Sequence, residues 1–239
     1  MGKFNKSFWT GGWKLLKRVF LYLFIAQLLY IVALKWVNPP TTWTMLKDRI
    51  GMTGEKGHFY HRWVSYDKIS SQAKLAVIAE EDQLFPVHDG FDIQSIREAL
   101  QHNKYAKRIR GASTISQQTA KNVFLWQGRT WLRKGLEAYF TFMIEKIWGK
   151  KRILEVYLNV AQMGRHLYGI QAASRQFFGK DASGLTRGQA ALVAACLPDP
   201  VAYKVQAPSA YLLSRQRWVI SQMGNLEGDP DIRALLSEK

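Results

Sequence analysis

The chain has 239 residues, of which 47% are hydrophobic, so it can bury a core, and a protein disordered throughout is excluded. Its formal net charge of +16 calls for an anionic partner: nucleic acid, a membrane surface or a phosphate-bearing substrate. The one cysteine, Cys196, excludes an internal disulfide and a cysteine metal cluster, and its apolar neighbours indicate a small core residue.

An apolar segment near the N-terminus, residues 19–37, predicts a transmembrane signal anchor. As a helix it would be about 28 Å long, close to the thickness of the hydrocarbon core of a bilayer. Lysines and arginines precede it, so the positive-inside rule predicts a cytoplasmic N-terminus and export of everything after residue 40. A cleavable signal peptide is the alternative, but no small-x-small cleavage pattern follows the segment. Export disfavours a nucleic-acid partner and leaves lipid headgroups or a phosphorylated substrate.

The rest of the chain divides by composition. Prolines and glycines in residues 38–66 predict a loosely structured juxtamembrane connector. From Ser70 onward the apolar pattern is helical almost throughout. We therefore divide the chain into a cytoplasmic basic tail (1–18), the membrane anchor (19–37), the connector (38–66), one domain that carries the chemistry (67–225) and a C-terminal tail (226–239), whose last ten or so residues are expected to fray.

The acidic stretch 80–92 is the first candidate for a functional site. Its carboxylates begin where an apolar helix ends, although the helix dipole disfavours negative charge at a C-terminus. Pro86 and Gly90 mark a turn that can hold Glu81 and Asp82 in a cleft. A solvated helix end is the alternative, and these residues alone do not exclude it.

The next stretch, 111–122, predicts a short helix with an anion-binding N-terminus. Ser113 is the expected N-cap, behind which free backbone N–H groups and the positive end of the helix dipole would lie. Lys121 belongs to the same helix. The alternative is an ordinary capped helix with a polar face. The apolar residues 123–126 that follow fit either the core or an edge that dips into the membrane interface.

A longer helix is predicted from about residue 130 to 148. Arg129, Arg133 and Glu137 follow one another at four-residue spacing. This row is either a surface ion pair worth roughly a few tenths of a kcal/mol or a cationic row with one carboxylate, suited to a pyrophosphate and its metal. The apolar row expected to face the core comprises Leu132, Leu136, Tyr139, Met143 and Ile147.

Four motifs occur in one order along the chain: E-D-x-x-F-x-x-H-x-G-x-D at 81–92, G-A-S-T-I-S-Q-Q-x-x-K-N at 111–122, R-K-x-x-E at 133–137 and I-L-E-x-Y-L-N at 153–159. Together they resemble the peptidoglycan glycosyltransferases of family 51, over roughly residues 60–205. No segment of transpeptidase size follows, so the resemblance is to the monofunctional members. It implies an all-α, lysozyme-like glycosyltransferase domain with a small membrane-facing jaw and an N-terminal transmembrane helix.

The resemblance also implies a reaction, the polymerisation of lipid II. The growing glycan on undecaprenyl pyrophosphate would be the donor, and the 4-hydroxyl of a lipid II molecule would be the acceptor. The leaving group is already an activated pyrophosphate, so the site needs a base for the acceptor and cations for the developing phosphate charge, but no strong acid. A carboxylate with a moderately raised pKa would serve as the base.

Carried over onto this sequence, the motifs make Glu81 the general base and Glu137 the second essential carboxylate. Glu137 is also the candidate ligand for a divalent cation bound through the pyrophosphate. The sequence departs from the family pattern at two positions, with Leu136 in place of a second Lys and Ala112 in place of a common Gly. The first affects how many cations would bind the donor. The expected substrate-binding residues are Asp82, Phe85, Ser113, Thr114, Gln117, Gln118, Lys121, Asn122, Arg129 and Arg133.

Partners and location follow from the same resemblance. We expect lipid II, undecaprenyl-pyrophosphate-linked glycan, the membrane and other cell-wall synthesis proteins as partners, and no nucleic acid. A divalent cation, Mg or Mn, is the expected cofactor, without an organic one. The protein would be single-pass in the bacterial inner (cytoplasmic) membrane, with its catalytic domain on the periplasmic side. A lysozyme-like lytic enzyme that cleaves finished glycan and a non-enzymatic basic membrane protein remain as alternatives.

Overall fold

The computed structural model describes residues 6–52, 58–105, 111–128 and 130–237. It divides into two compact units, Met1–Asn38 and Pro39–Lys239.

The first unit contains a single helix, α1 (Lys6–Ala33). Its segment Gly12–Ala33 has a mean hydropathy of 1.8 and is long and apolar enough to cross a membrane, judged by length and composition alone. The predicted anchor, 19–37, lies mostly in this helix. The helix ends at Ala33, ahead of the predicted boundary, and residues 34–36 form a turn.

The second unit is built from helices, which confirms the predicted all-α class. They are α2 (Trp43–Gly51), α3 (Ser71–Glu81), α4 (Ile93–Tyr105), α5 (Ile115–Phe124), α6 (Trp131–Ile147), α7 (Lys150–Val160), α8 (Ile170–Phe178), α9 (Arg187–Cys196), α10 (Ala210–Leu226) and α11 (Pro230–Ser237). Three short strands, β1 (Tyr60–His61), β2 (Gln162–Gly164) and β3 (Leu167–Tyr168), form a small sheet in the order β1-β3-β2, with β1 parallel and β2 antiparallel to β3.

Two helices form the centre of this unit. In α3 every residue from Ala73 to Ala79 is buried, and in α9 every residue from Ala190 to Cys196 is buried. A helix that is apolar on all sides belongs in a core, and α3 packs against both α9 and α10. Cys196 is one of these buried residues, as its apolar setting predicts. A second group, in which α5 packs against α6 and α7, lies at the C-terminal end of α3.

In the segment predicted to be a loose connector, the described residues, 38–52 and 58–66, are instead mostly ordered. It contains α2, β1 and a short 3-10 turn, and Val64 and Tyr66 are buried. Asn159 of the last motif explains why, since its side chain accepts from the Val64 N–H at 2.8 Å and donates to the Val64 carbonyl at 2.9 Å. The Tyr66 N–H also donates to the Glu155 carboxylate at 3.1 Å. The motif at 153–159 therefore ties this segment to α7.

The C-terminal tail is also more structured than expected. Residues Pro230–Ser237 form α11, with Ile232 and Leu235 buried, and the Tyr66 hydroxyl donates to the Leu235 carbonyl at 2.8 Å. The predicted fraying of the tail is therefore wrong for α11, because its two apolar side chains pack into the domain.

Helix α6 differs from the prediction in which face it buries. Its fully buried residues are Arg133, Glu137, Thr141 and Ile144, whereas Leu132 of the predicted apolar row is 71% exposed. The apolar periodicity therefore does not mark the face that packs against the domain. The polar row is buried because it lies on the face that packs against α5, where Arg133 and Glu137 pair with each other.

Two glycines allow a matched test of the packing around Asn159. Both Gly149 and Gly169 have φ near +80°, but a Cβ at Gly169 would lie 2.6 Å from the Asn159 carbonyl oxygen, whereas at Gly149 it would meet no atom within 4 Å. We expect both alanine variants to lose about 1 kcal/mol for the left-handed backbone, and Gly169→Ala to lose considerably more because of the clash. Urea unfolding of the detergent-solubilised protein measures this, and equal losses would contradict the proposed contact.

Candidate active site

Glu81 is the last residue of α3, and its side chain is only partly exposed. Its Oε2 accepts a hydrogen bond from Nε2 of Gln118, in the first turns of α5, at 2.5 Å. Burial raises the pKa of Glu81 above its usual value, and the charge of the adjacent Asp82 raises it further. The hydrogen bond from Gln118 and the charge of Lys121 lower the pKa and so oppose this shift. The second oxygen, Oε1, has no hydrogen-bond partner in the described parts of the chain. A carboxylate held by one oxygen, with the other open, is suited to accept a proton.

Asp82 has a different environment and a structural role. Its Oδ2 accepts from the backbone N–H of Ile115 at 2.9 Å, and both of its oxygens lie within 3.0 Å of His88 Nε2. The Gly90 N–H donates to His88 Nδ1 at 3.0 Å, so the proton of His88 is placed on Nε2 and points at Asp82. Asp82 therefore joins the end of α3 to the start of α5 and leaves Glu81 as the carboxylate available for chemistry.

The start of α5 differs from the prediction by one residue. Thr114, not Ser113, is the N-cap: its hydroxyl accepts from the Gln117 N–H, and Gln117 Oε1 accepts from the Thr114 N–H at 3.1 Å. The Thr114 hydroxyl also donates to the Gly90 carbonyl at 2.7 Å. Thr114 takes the N-cap position because its hydroxyl both caps the helix and reaches the acidic loop. Thr114 and Gln117 are buried by these bonds, which fasten the loop to α5.

The acidic loop also packs tightly against α6. Gly90 has φ +88°, and a Cβ there would lie 2.8 Å from Thr141 and 2.9 Å from Glu145. Glu145 accepts from Ser116 at 2.5 Å and from Lys150 at 2.7 Å, and Lys150 donates in turn to the His88 carbonyl at 2.5 Å. These contacts hold the loop between α5, α6 and α7.

The second carboxylate, Glu137, lies on the buried face of α6. Nη1 of Arg133 donates to Glu137 Oε2 at 2.6 Å, and the ammonium of Lys134 binds the other oxygen. Nε of Arg133 is buried and has no hydrogen-bond partner within the described residues. A buried guanidinium N–H without a protein acceptor is costly, so this atom indicates an acceptor that the chain itself does not supply.

Lys121 of α5 connects the two carboxylates. Burial lowers the pKa of Lys121, the charges of Arg133 and Lys134 lower it further, and those of Glu137 and Glu81 raise it. Its ammonium donates no hydrogen bond and forms no ion pair among the residues described. A desolvated cation between the two carboxylates is therefore free to bind an anion. The predicted halves of the site, 81–92 and 133–137, thus meet through α5.

The other predicted site residues vary in position. Phe85 is fully buried, with the Lys150 ammonium 4.7 Å from its ring centroid, so it packs beneath the acidic loop. Asn122 is half-buried on α5, next to Lys121. The Ser113 carbonyl faces Gln118 Nε2 at 3.5 Å. Arg129 lies outside the described residues.

Three residues at or beside the site were not predicted. The Tyr157 hydroxyl donates to Gln118 Oε1 at 3.4 Å and so orients the amide that binds Glu81. Lys134 binds Glu137. The three-residue spacing of the two side chains on a helix could have predicted this ion pair from the sequence. Arg215 of α10 binds Glu80, a pair separated by 135 residues that no local pattern shows.

Comparison with known proteins identifies the family. The family model described as transglycosylase matches residues 48–224. The chain belongs to the transglycosylase family. Relatives named biosynthetic peptidoglycan transglycosylase, from Escherichia coli O127:H6 (strain E2348/69 / EPEC) and Escherichia coli O1:K1 / APEC, are each 50% identical to it over 224 residues, which cover 88% of this chain and 93% of the relative.

The match fits the structure of this transglycosylase. It begins within α2 and ends within α10, so the family domain includes the end of α2 and much of the segment expected to be a connector. The predicted family, the lysozyme-like all-α class and the glycosyltransferase activity are confirmed. The roles of individual site residues remain predictions.

The raised pKa of Glu81 has a consequence for stability. A carboxyl group with a higher pKa in the folded state lowers stability above its unfolded pKa, because the folded state resists losing the proton. Glu81→Gln should therefore raise the Tm at pH 7, and the gain should vanish near pH 4. Asp82→Asn is the matched control and should lose about 1–3 kcal/mol, because it weakens a buried charged hydrogen bond. A lower Tm for Glu81→Gln at pH 7 would contradict this assignment.

Proposed function

We propose that this transglycosylase polymerises lipid II into glycan strands, with Glu81 as the general base. The relatives named biosynthetic peptidoglycan transglycosylase supply peptidoglycan as the substrate class. The observation that carries the proposal is Lys121, which lies between a carboxylate of raised pKa and a second carboxylate that holds two further cations. The reaction needs this combination of a base and an anion site.

In the proposed reaction Glu81 Oε1 takes the proton of the acceptor 4-hydroxyl. The hydroxyl oxygen attacks the anomeric carbon of the donor glycan, and the bond from that carbon to the pyrophosphate oxygen breaks. The electron pair leaves with undecaprenyl pyrophosphate. Gln118 holds Glu81 Oε2 and is itself oriented by Tyr157, so Oε1 can face the acceptor without a change of rotamer.

Charge develops on the leaving pyrophosphate, and Lys121 and Arg133 are placed to stabilise it. The Lys121 ammonium and Arg133 Nε both have N–H groups without an acceptor in the described chain. Arg133 is buried and Lys121 is half-buried, which strengthens a charged hydrogen bond to phosphate. We assign to Glu137 the positioning of Arg133 and Lys134, since each of its oxygens binds one of these two side chains.

We also propose a divalent cation, supplied with the pyrophosphate. No three His, Cys, Asp or Glu side chains converge to hold a metal in the part of the chain that the structure describes. Both oxygens of Glu137 are bonded to cations, so Glu137 does not form a metal site by itself. The phosphate oxygens would provide most of the ligands, and the ion would neutralise their charge.

For the location, we propose that α1 is a signal anchor in the bacterial cytoplasmic membrane, with the N-terminus inside and the domain outside. Within the domain, Tyr105 at the end of α4 and Trp131 at the start of α6 are each 92% exposed, and Leu132 is 71% exposed. Trp131 and Leu132 directly precede Arg133 on α6, and exposed apolar side chains beside a cationic site support a surface that meets the membrane carrying the lipid substrate.

The direct test is polymerisation of labelled lipid II by the purified full-length protein. The wild type should form glycan polymer, and Glu81→Gln should lower the rate by at least about 100-fold because the base is lost. Lipid II binding by Glu81→Gln should persist, since Gln118 can still donate to the new amide oxygen. Near-normal turnover in this variant would remove Glu81 from the mechanism, and shortened chains from isolated sacculi would favour the lytic alternative.

A second test separates the geometry of Arg133 from its charge. Arg133→Lys keeps a positive charge but loses the N–H that has no protein partner, so kcat should fall by about 10- to 100-fold. Arg152→Lys is the matched control: Arg152 binds Glu155 at 2.7 Å on α7, and this variant should keep most of the activity. Steady-state kinetics on lipid II measures both, and equal kcat values for the two variants would contradict the assignment.

A further inference from the structure

A groove with a volume of about 320 Å³ lies between the segment that precedes α3 and the region of α8. One wall is formed by residues from 62–68, and the other by Gln171, Asp181 and Ser183. Its volume is that of a site for a small ligand or for one part of a larger one. None of the residues assigned to the reaction lines this groove.

The groove and Glu81 lie at opposite ends of α3. Ser70, the N-cap of α3, donates its backbone N–H to the Ala182 carbonyl at 3.2 Å and so joins the two walls. Glu81 ends the same helix of 11 residues, and a rise of about 1.5 Å per residue places the two ends roughly 16 Å apart. The groove is therefore separate from the site of the reaction.

Helix α7 holds the first wall in place. The guanidinium of Arg152 lies 5.5 Å from the ring centroid of the half-buried Trp63, and Arg152 is itself bound to Glu155 at 2.7 Å. Val64, the next residue, is hydrogen-bonded on both sides of its peptide unit to the Asn159 side chain. The indole is thus positioned before any ligand arrives, which lowers the entropy cost of binding.

The hydrogen-bond donors of the groove lack acceptors. The side chains of Arg62 and Lys68 are exposed and form no ion pair or hydrogen bond with the described residues. The same holds, within that part of the chain, for the indole N–H of Trp63 and the hydroxyl of Ser183. Four donor groups, two of them cationic, therefore face the groove with free N–H or O–H groups.

The acceptors of the groove, in contrast, are already occupied. The Asp181 carboxylate pairs with Arg175 at 2.6 Å and accepts from the Gln171 amide. The other amide atom of Gln171, Oε1, accepts from the Ala182 N–H at 2.9 Å. Asp67, beside the groove, accepts a hydrogen bond from Ser65. The groove is therefore suited to a ligand that accepts hydrogen bonds and carries negative charge.

A carboxylate-bearing sugar or peptide fits these walls better than a membrane surface does. In the described chain, no large apolar side chain of either wall is among the exposed ones, unlike Trp131 and Leu132 at the start of α6. A surface that enters a bilayer needs such side chains. A peptidoglycan strand carries carboxylates on its peptide stems, and its sugar rings have apolar faces that can pack on an indole.

We propose that this groove is a second binding site, for a carboxylate-bearing segment of a peptidoglycan strand: Arg62 and Lys68 bind the carboxylate, and Trp63 packs on the sugar or peptide beside it. The choice of ligand rests on the proposed function. A strand held here stays close to Glu81 without occupying the site of the reaction.

The test is calorimetric titration of the full-length protein in detergent with soluble peptidoglycan fragments that carry their peptide stems. The double variant Arg62→Gln/Lys68→Gln removes both free cations, so the Kd of the fragments should rise about ten-fold or more. Fragments whose carboxylates have been converted to methylamides should bind the wild type as weakly as intact fragments bind this variant. Both side chains are exposed, so the variant should keep the Tm of the wild type.

Two comparisons make the result specific. Lys204→Gln/Arg217→Gln is the matched control, since it removes the same two charges from exposed positions before and on α10, and it should keep the Kd of the wild type. A soluble short-chain anionic phospholipid, titrated in the same way, should bind the wild type and the Arg62→Gln/Lys68→Gln variant equally.

Each contrary result overturns the inference. An equal Kd for the wild type and the Arg62→Gln/Lys68→Gln variant does so, as does an equal loss in the matched control, because net charge would then explain the effect. Undiminished binding of amidated fragments excludes the carboxylate, and loss of phospholipid binding alone would assign the groove to a lipid headgroup. These titrations need no turnover, so a wild type that binds fragments in the groove but makes no polymer from lipid II would overturn only the proposed function.

Discussion

The hydrogen bond from the Ile115 N–H to Asp82 joins the C-terminal end of α3 to the N-terminal end of α5, and the site depends on this junction. It brings Gln118 and Lys121 of α5 against Glu81 of α3. The same helix packs on α6, which presents Arg133 and Glu137. Asp82 can make this bond because the first N–H groups of a helix have no partner within the helix. The carboxylate at the end of α3 thus satisfies a backbone N–H group at the start of α5.

This arrangement requires charged side chains to be buried, which costs free energy. Helix α6 buries Arg133 and Glu137 while it exposes Leu132, the reverse of what solvation alone would favour. The same conflict recurs at Glu80 on α3. Polar groups at such positions are stable only where partners satisfy them, and in α6 the buried Nε of Arg133 has no partner among the described residues. A site for a pyrophosphate accounts for this better than a structural role does.

Much of this was predictable from local patterns. The apolar runs of α3 and α9 are short-range features, and the four motifs in one order indicate the family from the sequence alone. What could not be predicted depends on contacts between distant residues. The segment after the anchor is ordered because it is hydrogen-bonded to Asn159, about 95 residues away. The buried face of α6 is set by its charged partners, so its apolar periodicity was misleading. The pairing of Glu80 with Arg215 has no local signal.

The central claim is that Lys121 unites the two carboxylates in one site. The measurement that tests it most directly is the pH profile of kcat/KM for polymerisation by Lys121→Gln beside the wild type. The charge of Lys121 lowers the pKa of Glu81, so its removal should move the acid limb to higher pH in addition to lowering kcat. A lower rate with an unchanged acid limb would contradict the account, since Lys121 and Glu81 would then act in separate places.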